Sequence, residues 1–288
     1  MKSVDSPSLV SIVIPTIKFD RYTEISIRSI LEQTYDNWEI ILVLDGAPVS
    51  TVPDWVIDDY RIELVIHEFR QGTPKSLNDG VKASHGELVA RLDADDIAHP
   101  ERLAIQVRYM ETNPSVVCVG TSTCIIDENG KFVSEFPAPK YEGDIRDLLL
   151  INNQLVHSSV MYRKKNFEAI NGYSLIMKRA QDYELYLRLA RTGQIDFIDA
   201  TLCAYRVHLG QHSRKTSPFS NYTLEILKQR NHLAKFLSRN RFAQLLRNII
   251  WYFAQIVRYS GLRKPRYIDS GSDVNENKKD SKWLEAFL

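Results

Sequence analysis

Over residues 1–112, short apolar runs rich in β-branched residues alternate with segments spaced like helices. Leu9 to Ile14 is such a run, stopped by Pro15, and predicts a buried strand. Arg21 to Thr34 places Ile25, Ile27, Ile30 and Leu31 near helical spacing. Trp38 to Leu44 predicts a second strand and Ile62 to Ile66 a third. Thr73 reads as an N-cap with Pro74 at the first helical position, opening a helix to about Ser84. Glu87 to Leu92 predicts a fourth strand, and Pro100 opens a helix carrying Leu103, Val107 and Met110. Strand and helix in alternation predict an α/β fold with a mostly parallel sheet. In such sheets ligands sit beyond the C-terminal ends of the strands.

The pattern then turns mixed. Val116 to Ile126 and Lys131 to Phe136 flank Asp127-Glu128-Asn129-Gly130, a hairpin signal. Helices are predicted over Asp144 to Ile151 and Ala180 to Arg191, with strands over Val156 to Tyr162, Ile195 to Ile198 and Leu202 to Val207. Ser220 to Tyr259 reads as helical and basic, stopped by Gly261 and Pro265, and 267–288 as a loose polar tail.

Composition changes this picture little. Lys plus Arg is 37 against 36 for Asp plus Glu, a net charge of +1, so whole-chain charge makes no case for nucleic acid. The distribution is uneven: 220–266 holds ten Lys or Arg and one acid, Glu225, which leaves −8 on the rest. Three cysteines, Cys118, Cys124 and Cys203, without a C-x-x-C pair argue against a disulfide scaffold or a structural zinc site. The apolar stretch near the start is too short for a signal peptide, and no run approaches the ~18 apolar residues of a membrane span. A reducing, cytoplasmic setting is expected.

The most informative stretch is Arg91-Leu92-Asp93-Ala94-Asp95-Asp96, directly after the fourth strand. Carboxylates this close repel one another unless a cation or hydrogen-bond donors neutralise them. If strand geometry persists, Asp93 and Asp95 fall on the same side. One then reaches a ribose and the other a divalent metal, Mg²⁺ or Mn²⁺ shared with phosphates. The plain alternative is a solvated acidic turn. Pro15-Thr16 and Asp45-Gly46 end the first two strands, so three strand ends offer polar groups to one crevice. Asp45 is also an ordinary turn former. Lys75 sits in the first turn of its helix, unfavourable for a cation unless a bound phosphate compensates. The glycine signatures of dinucleotide and P-loop sites are absent.

Taken together, VSIVIPT, ILVLDGA and QGTPKSLNDGVKASHGELVARLDADD resemble the family 2 glycosyltransferases of the GT-A fold. QDYELYLRLA resembles their acceptor-side acidic motif, and the resemblance covers roughly residues 8 to 212. It implies a GT-A catalytic domain over 1–219, with a nucleotide-sugar half at about 8–100 and an acceptor-side half at 101–219. The activity implied is metal-dependent, inverting transfer from a nucleoside-diphosphate sugar, UDP- or dTDP-linked. A glycan or lipid-linked acceptor of surface polysaccharide synthesis is the implied recipient.

The resemblance also implies roles. Asp45 would accept from the base imide, and Pro15 and Thr16 would cradle the base by their backbone. Lys75 and Asn78 would line the nucleotide pocket. Asp93, with Ala94 beside it, would contact the ribose, and Asp95 a Mn²⁺ or Mg²⁺ ion. Asp182 would be the general base, kept ionised by its helix dipole. Where the family often has Glu, this chain has Gln181. His157 would flank the acceptor site. His208, with His212 nearby, would contact metal or diphosphate, or else be a satisfied structural histidine.

The 220–266 segment interleaves its basic residues with Leu245, Ile249, Trp251 and Phe253. It reads as an amphipathic extension, either binding an anionic membrane surface or covering the catalytic domain with its basic face in water. The first would make the protein peripheral at the inner face of the cell membrane. No nucleic-acid motif accompanies it. The rival readings are a sugar nucleotidyltransferase, whose Gly-rich, Arg-bearing loop IPTIKFDR lacks, and a non-catalytic nucleotide-binding or membrane scaffold of the same fold.

Overall fold

The structure is a computed structural model that describes residues 7–208, 217–260 and 283–287. His212, Gly261, Arg263, Lys264, Pro265 and Arg266 lie outside the described residues. The elements in order are β1 (Val10–Thr16), α1 (Arg21–Leu31), β2 (Trp38–Asp45), α2 (Asp54–Ile57), β3 (Ile62–His67), α3 (Thr73–Ala83), β4 (Leu88–Arg91) and β5 (Ile97–Ala98). There follow α4 (Arg102–Thr112), β6 (Val116–Ile126), β7 (Phe132–Phe136), α5 (Ile145–Leu149), β8 (Met161–Arg163), α6 (Lys164–Ala169), α7 (Gln181–Leu189), β9 (Gln194–Arg206), α8 (Asn221–Phe236) and α9 (Arg241–Tyr259).

Among the described residues the strands form one nine-stranded sheet in the order β3-β2-β1-β4-β8-β6-β9-β5, with β7 on β6. The first four are parallel, and β2 is buried along nearly its whole length, as its uninterrupted apolar run requires. Beyond β4 the sheet turns antiparallel through β8, then parallel again between β6 and β9. Two apolar layers cover it. On one side Ile12, Ile14, Leu42 and Leu44 pack with Ile27 and Leu103; on the other Val13, Val43 and Val89 pack with Leu77 and the α7 residues. Alternate residues of β1 feed opposite layers, as the pleat dictates. A Cβ on Gly80 would lie 2.5 Å from Val13 Cγ1, so only glycine lets α3 approach β1 this closely.

Several expectations change in detail. The N-cap of α3 is Gly72, at φ +90°, and Thr73 is already helical. The two strands expected over 195–207 are one, β9, which keeps pairing with β6 through register shifts at Thr121–Thr123. The strand expected over 156–162 is a helical turn at His157–Ser159 followed by β8. The tail is not wholly loose: Leu284 is buried beside Ile126 and Ala204, and the Trp283 ring meets His99 edge-on at 5.0 Å.

Candidate functional site

Parallel pairing puts the ends of β1 to β4 along one edge. Asp45 and His67 are register partners at the ends of β2 and β3. Asp45 is 3% exposed, and its carboxylate is already well occupied. Oδ1 accepts from Gln71 N at 2.6 Å and faces His67 Nδ1 at 3.0 Å; Oδ2 accepts from Gly72 N at 2.9 Å. Burial alone would raise this carboxyl, but the two amides and the imidazole hold it below the usual range. His67 Nε2 lies 2.8 Å from Asp79 Oδ2, so the ring bridges two acidic side chains. Both contacts are hydrogen bonds only when both ring nitrogens carry hydrogen.

This rearranges two sequence expectations. Lys75 does not need a phosphate to offset the helix dipole, because its ammonium pairs with Asp79 one turn on. Asn78 uses both ends of its amide inside the protein, donating to Tyr173 O at 2.9 Å and accepting from Tyr173 N at 2.8 Å. Those two bonds brace the 172–173 turn. Thr16 is 7% exposed and its hydroxyl closes a turn onto Lys18 O. Pro15 is half-buried, paired across from Val43.

The acidic stretch is a turn, not a continued strand. β4 ends at Arg91, Asp96 N donates to Asp93 O at 3.1 Å, and β5 follows. Strand alternation therefore does not set where Asp93 and Asp95 point. Asp93 accepts from the buried Arg91 guanidinium and from Ser158 Oγ at 3.0 Å. Burial pushes its carboxyl up, but Arg91, His157 and the Ser158 hydroxyl together hold it below the usual range. Ala94 lies half-buried between the acids. Asp95 sits 3.0 Å from His208 Nε2, and burial together with the Asp93 charge raises its carboxyl against that contact. Asp96 is fully buried; Oδ1 accepts from Arg206 N at 2.8 Å, while Oδ2 has no hydrogen-bond partner among the described residues. Burial and its two acidic neighbours push its carboxyl well up. Arg206 Nε also donates to Asp95 O at 2.9 Å. Tyr22 completes this wall, its ring under the Arg206 guanidinium at 4.7 Å and roughly parallel to His208.

The remaining candidate carboxylate is on α7. Ala180, at φ +52°, reverses the chain just before the helix, and Gln181 and Asp182 open it. A non-glycine residue in this region is uncommon and clusters at functional sites. Asp182 Oδ2 accepts from Asn153 Nδ2 at 2.9 Å. Its carboxyl is raised, not lowered as the helix dipole alone would have it. Burial is the main cause, backbone amides and Asn153 oppose it, and the Asp93 charge adds to it. The two carboxylates are thus near enough for the Asp93 charge to act on Asp182. His157 Nε2 lies 2.7 Å from Tyr173 Oη, and burial with the Arg91 charge pushes the imidazole down to about 3, so it is neutral.

Residue 11–170 of the chain match the family model described as "Glycosyl transferase family 2". The chain belongs to that family. It is 33% identical over 234 residues to an uncharacterised glycosyltransferase, MJ1057, of Methanocaldococcus jannaschii, covering 77% of this chain and 80% of the relative. With the O-antigen biosynthesis glycosyltransferase WbnJ of Escherichia coli it shares 30% identity over 241 residues, 80% of this chain and 93% of WbnJ. Among solved structures it resembles S. aureus TarS residues 1–349 in complex with UDP-GlcNAc, with TM-score 0.63 and 15% identity, covering 97% of this chain and 79% of that one. It spans 43% of the longer TarS chain. The fold of this glycosyltransferase is GT-A, with a helical C-terminal region.

Sequence reasoning missed His67, Ser158, Arg206 and Asn153. His67 alone carried a signal, since it ends a strand beside Asp45's strand. Ser158 and Arg206 arrive from 65 and 110 residues away, and Asn153 from an irregular turn.

Proposed function

We propose that the protein transfers a sugar from a nucleoside-diphosphate sugar, UDP- or dTDP-linked, to a glycan or lipid-linked acceptor, with inversion. The observation that carries this is the acidic turn Asp93–Asp96 after β4, at the sheet edge where β1 ends in Thr16 and β2 in Asp45, in a chain of glycosyl transferase family 2. The donor nucleotide lies over the ends of β1 and β2, where the Pro15–Thr16 backbone and the remaining Asp45 lone pair meet the base. Asp93, fixed by Arg91 and Ser158, accepts from a ribose hydroxyl.

A Mg²⁺ or Mn²⁺ ion fits this cleft through Asp95 and His208. Asp95 Oδ2 and His208 Nε2, 3.0 Å apart, would be the protein's donors to it; among the described residues no group of three or more His, Cys, Asp or Glu is placed to hold a metal. That suits an ion completed by diphosphate oxygens and water. The ion would stabilise charge on the departing diphosphate. Asp182 Oδ takes the proton of the acceptor hydroxyl as that oxygen attacks the anomeric carbon and the diphosphate leaves. One displacement from the opposite face inverts the centre. A base with a raised pKa loses less in proton-transfer drive near neutral pH.

Support for a polysaccharide setting is the O-antigen assignment of WbnJ, and for a UDP-sugar donor the ligand of the TarS complex. The test is Asp182→Asn in a panel of nucleotide sugars. Donor binding persists while transfer falls by roughly 10²–10⁴-fold. Unchanged turnover would return Asp182 to helix capping.

A further inference from the structure

Helix α9 is amphipathic in the reverse sense for a helix packed on protein. Its inner face is polar. Gln244 (2% exposed) donates to Asn248 Oδ1 at 2.9 Å, and Asn248 (8% exposed) donates to Asn231 Oδ1 of α8 at 2.8 Å. Trp251 continues the row, its ring against the buried Arg230 guanidinium at 4.9 Å and its Nε1 donating to Asn152 Oδ1 at 3.3 Å. The opposite face is apolar and open: Phe242 is 69% exposed, Ile250 69% and Phe253 62%, with Leu246, Ile249 and Val257 also exposed. At about 100° per residue these six fall within an arc of roughly 100°. A helix whose outer face met only water would carry the reverse pattern. An apolar strip of this extent marks a contact surface.

The charge on α9 itself has one sign. α9 carries Arg241, Arg247 and Arg258 and no acidic residue. Arg247 and Arg258, about three turns apart, fall on one side of the apolar arc, and Arg241 falls on the other. Arg241 and Arg258 are exposed and Arg247 half-buried. Arg230 and Arg239 are not part of this set. Arg230 is buried, donating to Leu150 O at 2.6 Å, and Arg239 pairs with Asp147 at 2.7 Å. A second copy docked through the same strip would bring a second set of arginines with no acid on the helix to meet them. An anionic bilayer matches both features at once.

We propose that α9 lies in the surface of an anionic bilayer, its apolar face inserted and its arginines at the headgroups. The seat also orients the cleft. Phe219, 74% exposed, meets the Tyr252 ring at 6.4 Å, and the residues after it line an open hollow with Ile176 and Met177, just before α7. Asn152, held by Trp251, adjoins Asn153, the donor to Asp182. The acceptor side is thereby turned to the lipid, where a lipid-linked acceptor resides. That orientation rests on the transferase reading; the docking itself does not.

The experiment is co-sedimentation of the full chain with vesicles of phosphatidylglycerol and phosphatidylcholine, or of phosphatidylcholine alone. The protein pellets with the anionic vesicles at low salt and is partly released at high salt, as the arginine contribution is screened. Arg241→Gln with Arg258→Gln weakens partitioning about tenfold and flattens its salt dependence. Ile250→Asp with Phe253→Asp abolishes it at every salt concentration. These exposed substitutions leave the circular dichroism spectrum and donor-nucleotide binding unchanged. A wild-type protein that ignores anionic vesicles overturns the proposal. So does equal binding by the aspartate variant, or a solution dimer that this variant dissolves. Transfer to a soluble acceptor, measured alongside, separates failure of the docking from failure of the transferase reading.

Discussion

Asn153 Nδ2 donates to Asp182 Oδ2 at 2.9 Å, tying the carboxylate that opens α7 to the turn after α5. A donor on a carboxylate favours its charged form, so this bond restrains a carboxyl that burial drives upward. Asp182 therefore stays protonated to a higher pH than an ordinary aspartate at about 3.9. The acid limb of kcat/KM falls above that value. Asn153→Ala removes a stabiliser of the charged form and moves the limb further up, which a pH–rate profile of both proteins measures. Coincident limbs would detach Asn153 from the base.

Asp95→Ala removes the carboxylate that faces His208 and relieves the charge crowding around Asp93 and Asp96. The melting temperature is retained or rises, while transfer and the Mn²⁺-dependent part of UDP affinity disappear. Calorimetric titration of UDP with and without Mn²⁺ reads this directly. Full wild-type activity in EDTA would end the metal role.

Asp45→Asn tests how far that side chain is structural. An amide cannot accept all the bonds that Gln71 N, Gly72 N and His67 bring to the carboxylate, so roughly 1–3 kcal/mol of stability is lost near neutral pH. Because the folded-state pKa is depressed, this stability is present above the unfolded value near 4 and is lost as pH falls through the folded one. The wild type therefore declines more steeply in acid than the variant. Chemical denaturation at pH 7 and pH 3 gives both numbers.

Arg230→Ala leaves Leu150 O and Ile151 O without the guanidinium that caps them and removes the plate under Trp251. The cost is about 3 kcal/mol. Urea unfolding followed by tryptophan fluorescence shows the drop in midpoint.

The sheet edge formed by the ends of β1 and β2 was legible because its elements are continuous. The runs at 9–14 and 38–44 lead into Pro15-Thr16 and Asp45, and one sheet rule places those ends together. The acidic turn was legible as charge, but not in geometry, since nothing local tells that β4 stops at Arg91. Arg206 was invisible because a buried arginine has no pattern of its own; its partners, Asp95, Asp96 and the 127–128 carbonyls, are distant in sequence. β9 was split in two because Asp199 and Ala200 break its apolar run where its pairing with β6 shifts register. In the sequence 220–266 reads as one basic, amphipathic segment, where the described residues form two helices, α8 and α9. Which face of α9 packs depended on Asn231 and Asn152, residues outside that helix.

The bond from Arg206 N to Asp96 Oδ1 joins residues 110 positions apart. A nascent chain emerging at about 5–20 residues per second completes the acidic turn roughly 5–20 s before its partner strand is made. Through that interval the four strands β1 to β4 can pair, while Asp95 and Asp96 stay hydrated. Synthesis order thus makes burial of the acidic turn a late step. A ribosome-stalled chain ending before residue 194 carries β1 to β4 and the acidic turn, with the turn lacking Arg206 and His208.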